Sequence, residues 1–168
     1  VGGIHPTTYY KEILTNCSEI DFVAIGEGEM TLLKLIKCLE NKNFVGLKSI
    51  KSFAYRDESG KIHCNLEREF IDDLDSMPLP AWDLIDFKNF EMKLDTYYNP
   101  KNLSLKNKAA VFSSRACPLA CNFCDMFLVM GKKHRKRGVA KIVDELEFLV
   151  KEHGVTYFSF MDDQLSLN

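Results

Sequence analysis

No stretch of the 168 residues approaches the run of about 18 apolar residues that a membrane helix needs, so no membrane partner is expected. The chain also lacks an excess of charge of one sign. Its 22 basic and 24 acidic residues leave a formal net charge of −2, which gives no global nucleic-acid footprint. Disorder is not signalled either, since 46% of the residues are hydrophobic and can bury a sizeable core. No signal peptide is visible, although the chain opens on Val1-Gly2-Gly3 rather than methionine, which predicts a segment of a longer protein. The cysteines lack the order of a disulfide framework, which fits a reducing, cytoplasmic compartment. Cys17, Cys38 and Cys64 stand singly and are expected as small buried apolar residues, Cys38 on a helix and Cys64 on a strand.

The other three cysteines are grouped. Cys117, Cys121 and Cys124 form C-x3-C-x2-C, reading CPLACNFC, directly after the apolar strand-like run 109–112. Three thiolates on one loop can ligate three irons of a 4Fe-4S cluster and leave the fourth iron open. Four-cysteine ferredoxin sites close every iron, and structural zinc sites close a tetrahedron. Two other readings stay open on the residues alone: a zinc site made from the triplet and His134, and three unrelated core cysteines.

Along the chain, 2–7 reads as a loop, with Thr7 or Thr8 capping a short helix to about residue 15. Residues 21–25 are a short apolar run ended by Gly26, which predicts a buried parallel strand. A Gly26-Glu27-Gly28-Glu29 loop follows, then a helix over 30–41 whose apolar face is Leu32, Leu33, Leu35, Ile36 and Leu39. This is the rhythm of a doubly wound α/β sheet, in which ligands sit at loops beyond the carboxyl ends of strands, where both glycine segments fall. Glu27 and Glu29 would repel an anion there; they suit the helix dipole and offer acceptors to hydroxyls or amides.

Residues 50–65 read as a β-hairpin carrying Phe53, Tyr55, Ile62 and Cys64, with its turn at Asp57-Glu58-Ser59-Gly60. Pro78 and Pro80 stiffen a connector over 72–86, with Trp82 packing at a domain junction. A surface crossover is expected over 87–108, and its Tyr97 and Tyr98 could reach a site. The basic run 132–137 reads as a solvated loop or helix start, a contact to a cofactor carboxylate or phosphate, or an RNA-binding patch. A helix over 141–153, with Gly154 as its stop, and a strand over 155–161 complete a β-α-β unit. The strand ends in Asp162-Asp163, at the end where parallel barrels carry their sites.

The triplet, with Phe123 just before its last cysteine and a basic stretch and helix behind it, resembles the signature of the radical S-adenosylmethionine enzymes. The order of GGIHPT, DFVAIGEGE, a hairpin, a D-L-D-x-x-P-x-P connector and the cysteine motif is similar to the cobalamin-binding class of that family. The resemblance implies an α/β fold in three parts: the C-terminal part of a Rossmann-like cobalamin-binding domain over 1–48, a hairpin and inter-domain connector over 49–108, and the first β-α-β unit of a partial (β/α) barrel over 109–168. It implies Cys117, Cys121 and Cys124 as ligands of a 4Fe-4S cluster that chelates S-adenosylmethionine, with Phe123 against the adenine. Gly2, Gly3, Gly26, Glu27 and Gly28 would line the nucleotide tail of cobalamin. Gly131, Arg135 and Arg137 match the family's G-x-x-x-R-x-R pattern, which favours local structure and cofactor contact, with Arg135 as the candidate, over RNA. Asp162 and Asp163 stand where the family places an acidic motif, commonly G-G-E, that accepts from the cofactor's ammonium group; this chain has Met161-Asp162-Asp163 instead.

The implied activity is reductive cleavage of S-adenosylmethionine to a 5′-deoxyadenosyl radical, then cobalamin-dependent methyl transfer or cyclisation on a small-molecule or peptide substrate. An electron donor such as flavodoxin or ferredoxin is the implied partner. A methylthiotransferase ranks lower, because Cys17, Cys38 and Cys64 lack the loop placement its additional cluster needs. A non-catalytic cofactor- or zinc-binding module is the rival from outside the enzymes. The family's barrel requires further β-α units, so the 168 residues alone are expected to be inactive.

Overall fold

The computed structural model describes residues 1–87, 107–119 and 121–167. Tyr97, Tyr98 and nearly all of the expected crossover fall outside them. The chain divides into two compact units. One comprises Val1–Asp72 and Ala116–Lys133, the other Asp73–Arg115 and His134–Asn168.

In the first unit, helix α1 (Ile4–Asn16) starts ahead of the expected Thr7. Gly3 holds the cap position at φ 106°, and the Thr7 hydroxyl turns back to donate to the Gly3 carbonyl at 2.7 Å. Pro6 is tolerated because a first-turn residue has no intrahelical N–H bond to lose. Strand β1 (Phe22–Ala24) leads through Ile25 into the GEGE loop, and α2 (Glu29–Glu40) follows with Gly28 at its cap. Glu29 lies in the first turn, where a carboxylate complements the helix dipole. Of the apolar face expected on α2 only Leu35 is buried; Leu32, Leu33, Ile36 and Leu39 are each 38% exposed or more.

Strands β2 (Phe53–Arg56) and β3 (Ile62–Asn65) form the expected hairpin. Its turn is tied by Asp57 Oδ1, which accepts from the Ser59 amide at 3.0 Å, the Ser59 hydroxyl at 2.6 Å and the Lys61 amide at 3.0 Å. The hairpin lies antiparallel on β1, with Phe22 opposite Tyr55 and Ala24 opposite Phe53. So β1, expected as a parallel strand, has an antiparallel partner here, because the hairpin folds back onto it. On its other edge the bonding is parallel in sense: the Val1 amino group donates to Phe22 O and the Val1 carbonyl accepts from Ala24 N, both at 2.9 Å. Side chains alternate across the strands. Phe53 and Tyr55 join Leu35, Leu47 and Ile50 in one core, while Ala54 joins Leu14, Val23 and Ile25 in another. Cys38 packs half-buried against the first of these. Cys64, expected to be buried, is exposed, because β3 is the outer strand of the three. A short helix α3 (Met126–Met130) completes the unit.

In the second unit, β4 (Lys108–Val111) pairs in parallel with β7 (Tyr157–Phe160), and α4 (Val139–His153) connects them in the expected β-α-β order. Gly154 ends α4 at φ 62°, and the amides of Gly154 and Val155 reach the carbonyls of Val150 and Leu149 at 3.2 and 3.1 Å. Trp82, Phe87, Ala109, Val111, Leu149 and Val155 form the core, so Trp82 packs inside this unit. Two strands were not expected. β5 (Ser114–Arg115) and β6 (Arg135–Lys136) pair antiparallel, with Arg115 opposite Arg135, so part of the basic run is a strand rather than a solvated loop or helix start.

Candidate functional site

The cysteine loop is entered through Ala116, a buried residue in the left-handed region at φ 71°. Cys117, Cys121 and Cys124 are free thiols, each half-buried. The Cys124 amide donates to the Cys121 carbonyl at 3.1 Å, and α3 begins directly behind this turn. Cys121, Phe123, Cys124 and Phe127 are among the residues lining an open cavity of about 420 Å³. Phe123 is 89% exposed, an unusual state for an apolar ring beside a cavity.

Among the described residues, His134 included, no three or more His, Cys, Asp or Glu side chains are placed to hold one metal ion. Mononuclear zinc needs its ligands gathered on one tetrahedron, whereas a cubane takes each thiolate on a different iron. Three thiols on one accessible loop match the donor set of such a cluster.

The two glycine segments come together in the first unit. The Gly26 amide donates to the Thr7 hydroxyl at 2.9 Å, which ties the GEGE loop to α1. A Cβ built on Gly2 or on Gly28 would lie 3.5 or 3.8 Å from Ala24 Cβ, and one on Gly3 would meet nothing within 4 Å. This leaves a floor of small groups beyond the carboxyl end of β1, which suits close approach of a bulky ligand. Glu27 differs from its neighbours. It is 5% exposed, and its Oε2 accepts from the Ile71 amide at 2.9 Å, so its carboxylate braces the unit internally.

In the second unit the Asp162 carboxylate holds the turn after β4. It accepts from the Ser113 amide at 3.1 Å, from the Ser113 hydroxyl at 2.8 Å and from the Ser114 hydroxyl. Asp163 stays at the surface. Partial burial of its carboxyl raises its pKa, the Asp162 charge adds to this, and His134 works the other way. Arg135 is buried in β6. The Arg137 guanidinium donates to the Phe112 carbonyl at 3.0 Å and pairs with Glu145. Ser113, Ser114, Glu145 and Arg68 were not singled out from the sequence. Glu145 did carry a signal, as a lone acid between Ile142 and Leu149 on the apolar face of its helix.

The chain is an α/β protein with a glycine floor at a strand end and a three-thiol loop between the first strand and the helix of its β-α-β unit. No protein-family profile matches the chain. An anaerobic magnesium-protoporphyrin IX monomethyl ester cyclase from Cereibacter sphaeroides is 33% identical over 169 aligned positions, covering 100% of this chain and 26% of the relative. The cobalamin-dependent S-adenosylmethionine radical enzyme OxsB, solved with aqua-cobalamin and S-adenosylmethionine, matches with a TM-score of 0.63 at 18% identity, over 98% of this chain and 21% of that one. The radical S-adenosylmethionine methyltransferase TsrM from Kitasatospora setae, solved with cobalamin and a 4Fe-4S cluster, gives 0.62 at 18%, over 97% and 30%. Over nearly its whole length the chain is similar to these cobalamin-dependent radical S-adenosylmethionine enzymes, and it has the α/β fold of that class. It spans about a quarter to a third of the length of the curated relatives it matches.

Proposed function

We propose that Cys117, Cys121 and Cys124 hold a 4Fe-4S cluster with one iron open to S-adenosylmethionine, and that the floor formed by Gly2, Gly3 and Gly28, with Gly26 packed against Arg68 and Glu27 braced on Ile71, receives the nucleotide tail of cobalamin. The observation that carries this reading is the loop of three free, half-buried thiols beside an exposed phenylalanine. Bound there, the cluster would supply the electron for reductive cleavage of S-adenosylmethionine to a 5′-deoxyadenosyl radical, and cobalamin would supply the chemistry for methyl transfer or cyclisation.

The chain's own residues bind and orient. Phe123 offers the adenine a flat apolar face, and covering it removes from water a ring whose full burial is worth about 2 kcal/mol. Asp163 presents a surface carboxylate that suits an ammonium group, while Asp162 fixes the turn at Ser113 and Ser114. Arg135, buried in β6, and Arg137 shape the chain that leaves the cysteine loop, which favours the local-structure role of the basic run over cofactor contact. The substrate is a small molecule or peptide, and a flavodoxin or ferredoxin donates electrons. A reducing cytoplasm suits an oxygen-labile cluster.

The test is anaerobic reconstitution of the intact protein with iron, sulfide and cobalamin. Expected are absorption near about 400 nm with roughly four irons per chain, retained corrin bands, and loss of cluster absorption in Cys117→Ala, Cys121→Ala and Cys124→Ala. A cluster without corrin would discard the cobalamin role, and no cluster at all would sink the reading.

A further inference from the structure

Residues 67–72, Glu-Arg-Glu-Phe-Ile-Asp, act as a two-sided strap within the first unit. The side chains of 67–72 alternate in their partners, as those of a strand do. Glu67 pairs with Lys51, and Glu69 pairs with Lys34 at 2.6 Å. The even positions face the stretch that follows the cysteines. Arg68 donates to the carbonyls of Leu128 and Val129, at 3.1 Å for the latter. Phe70 packs on Gly131, where an added Cβ would lie 3.0 Å from its ring, and Asp72 accepts from Lys133 at 2.7 Å. Three alternate strap residues thus meet three successive points on 128–133.

The helix held this way cannot hold itself. α3 has 5 residues, well short of the length at which a helix persists unaided, and its terminal carbonyls lack partners inside the helix. Arg68 supplies a donor to two of them. The same guanidinium lies over the Phe70 ring, 5.8 Å from its centroid, and directly against Gly26. A Cβ on Gly26 would collide with that guanidinium and come within 2.9 Å of the Val129 carbonyl, and Gly26 sits at φ 82°. Partial burial lowers the Arg68 pKa while the Glu27 charge works to raise it.

We infer that Arg68 is a positioning residue for the cysteine loop: through α3 it fixes that loop against the glycine loop at Gly26. The strap acts on the loop whatever the thiols bind. Its consequence for a cluster rests on the function proposed above.

The test uses the intact protein with Arg68→Met, Arg68→Lys and, as a control on the opposite side of the strap, Lys34→Met. Backbone amide exchange is read over 126–131 in cofactor-free protein, and iron loss to a chelator is read after reconstitution. Arg68→Met is expected to speed exchange over 126–131 about tenfold, the factor for one lost hydrogen bond from a charged donor, with the β2–β3 hairpin unchanged. Iron loss should accelerate several-fold, Arg68→Lys should recover most of both effects, and Lys34→Met should leave 126–131 unaltered. If Arg68→Met fails to fold, Arg68→Lys decides by a smaller rise confined to 126–131. Unchanged exchange there, or the same rise in Lys34→Met, overturns the inference. A wild-type protein that binds no iron would defeat the proposed function, while exchange would still decide the role of Arg68.

Discussion

Trp82 donates its indole N–H to Oε1 of Glu145 at 2.9 Å, and the other carboxylate oxygen of Glu145 pairs with Arg137. Glu145 is 2% exposed, so its charge is tolerated only because both oxygens are satisfied. Arg137 in turn reaches the Phe112 carbonyl, and its backbone amide donates to Ser113 O at 2.9 Å, so the network pins the strand leaving the cysteine loop. Glu145→Ala strands a largely buried guanidinium, and a loss of about 3 kcal/mol is expected, as for a broken buried pair. Glu145→Gln keeps an acceptor for the indole and should cost less. Thermal melts of the intact protein check the order; a wild-type midpoint in Glu145→Ala would show that the pair carries no stability.

Asp162 and Asp163 are neighbours with separable roles. Asp162 accepts two side-chain hydroxyls and one backbone amide, whereas Asp163 lies at the surface. Asp162→Ala leaves those donors unmet and should destabilise by about 2 kcal/mol. Asp163→Asn should change stability by about 0.5 kcal/mol or less. Under the proposed function it should instead weaken S-adenosylmethionine binding by about tenfold, the weight of one charged hydrogen bond. Melting curves and an equilibrium binding titration on both variants separate the two effects. Weakened binding in neither would remove the acidic pair from the cofactor site.

The elements legible in the sequence are those whose signal is local. The C-x3-C-x2-C triplet, the hairpin turn at Asp57 and the β-α-β unit closed by Gly154 all stand where spacing and turn chemistry place them. Strands β5 and β6 escaped because two residues carry no periodicity, and their pairing depends on a chain reversal through the cysteine loop. The start of α1 was misplaced because the Thr7 hydroxyl bonds backward to Gly3 rather than forward as a cap. Glu27 was expected to offer an acceptor to a hydroxyl or amide, and it does so, but to Ile71, 44 positions away. The strap shows the same limit. Its alternation is visible in Glu-Arg-Glu-Phe-Ile-Asp, but the partners of its even positions lie about 60 residues downstream, where only the folded chain brings them into register.

Tyr10 provides a pH signature for the first unit. Its phenol pKa is pushed up to about 12, mainly by burial, then by a hydrogen bond and charge from Cys64. The folded state favours the neutral phenol, so the stability it contributes is fully present below the unfolded value of about 10. That contribution is lost as pH rises through about 12. A phenolate absorption titration should show Tyr10 ionising late, with Tyr55 also delayed by burial. Tyr10→Phe should remove the latest component. Ionisation of every tyrosine near pH 10 would contradict the burial of Tyr10.

Gly154 and Gly131 both occupy positive φ, and their surroundings predict different costs. Gly154 sits at φ 62° and ψ 30°, and a Cβ there would lie 3.6 Å from the Asn107 amide nitrogen, an ordinary contact. Gly154→Ala should therefore cost only the backbone term, about 1 kcal/mol. Gly154→Asn should cost less, since asparagine accepts the left-handed conformation. Gly131 sits at φ 77° with its would-be Cβ 3.0 Å from the Phe70 ring, so Gly131→Ala adds a steric term to the backbone one and displaces the ring that the strap uses to hold α3. The expected order of destabilisation is Gly154→Asn, Gly154→Ala, Gly131→Ala, read from thermal midpoints. Faster iron loss after reconstitution is expected for Gly131→Ala alone, because Gly154 lies in the other unit and ends a helix that carries no cysteine. Equal iron loss in all three would detach the packing of Phe70 from the cysteine loop.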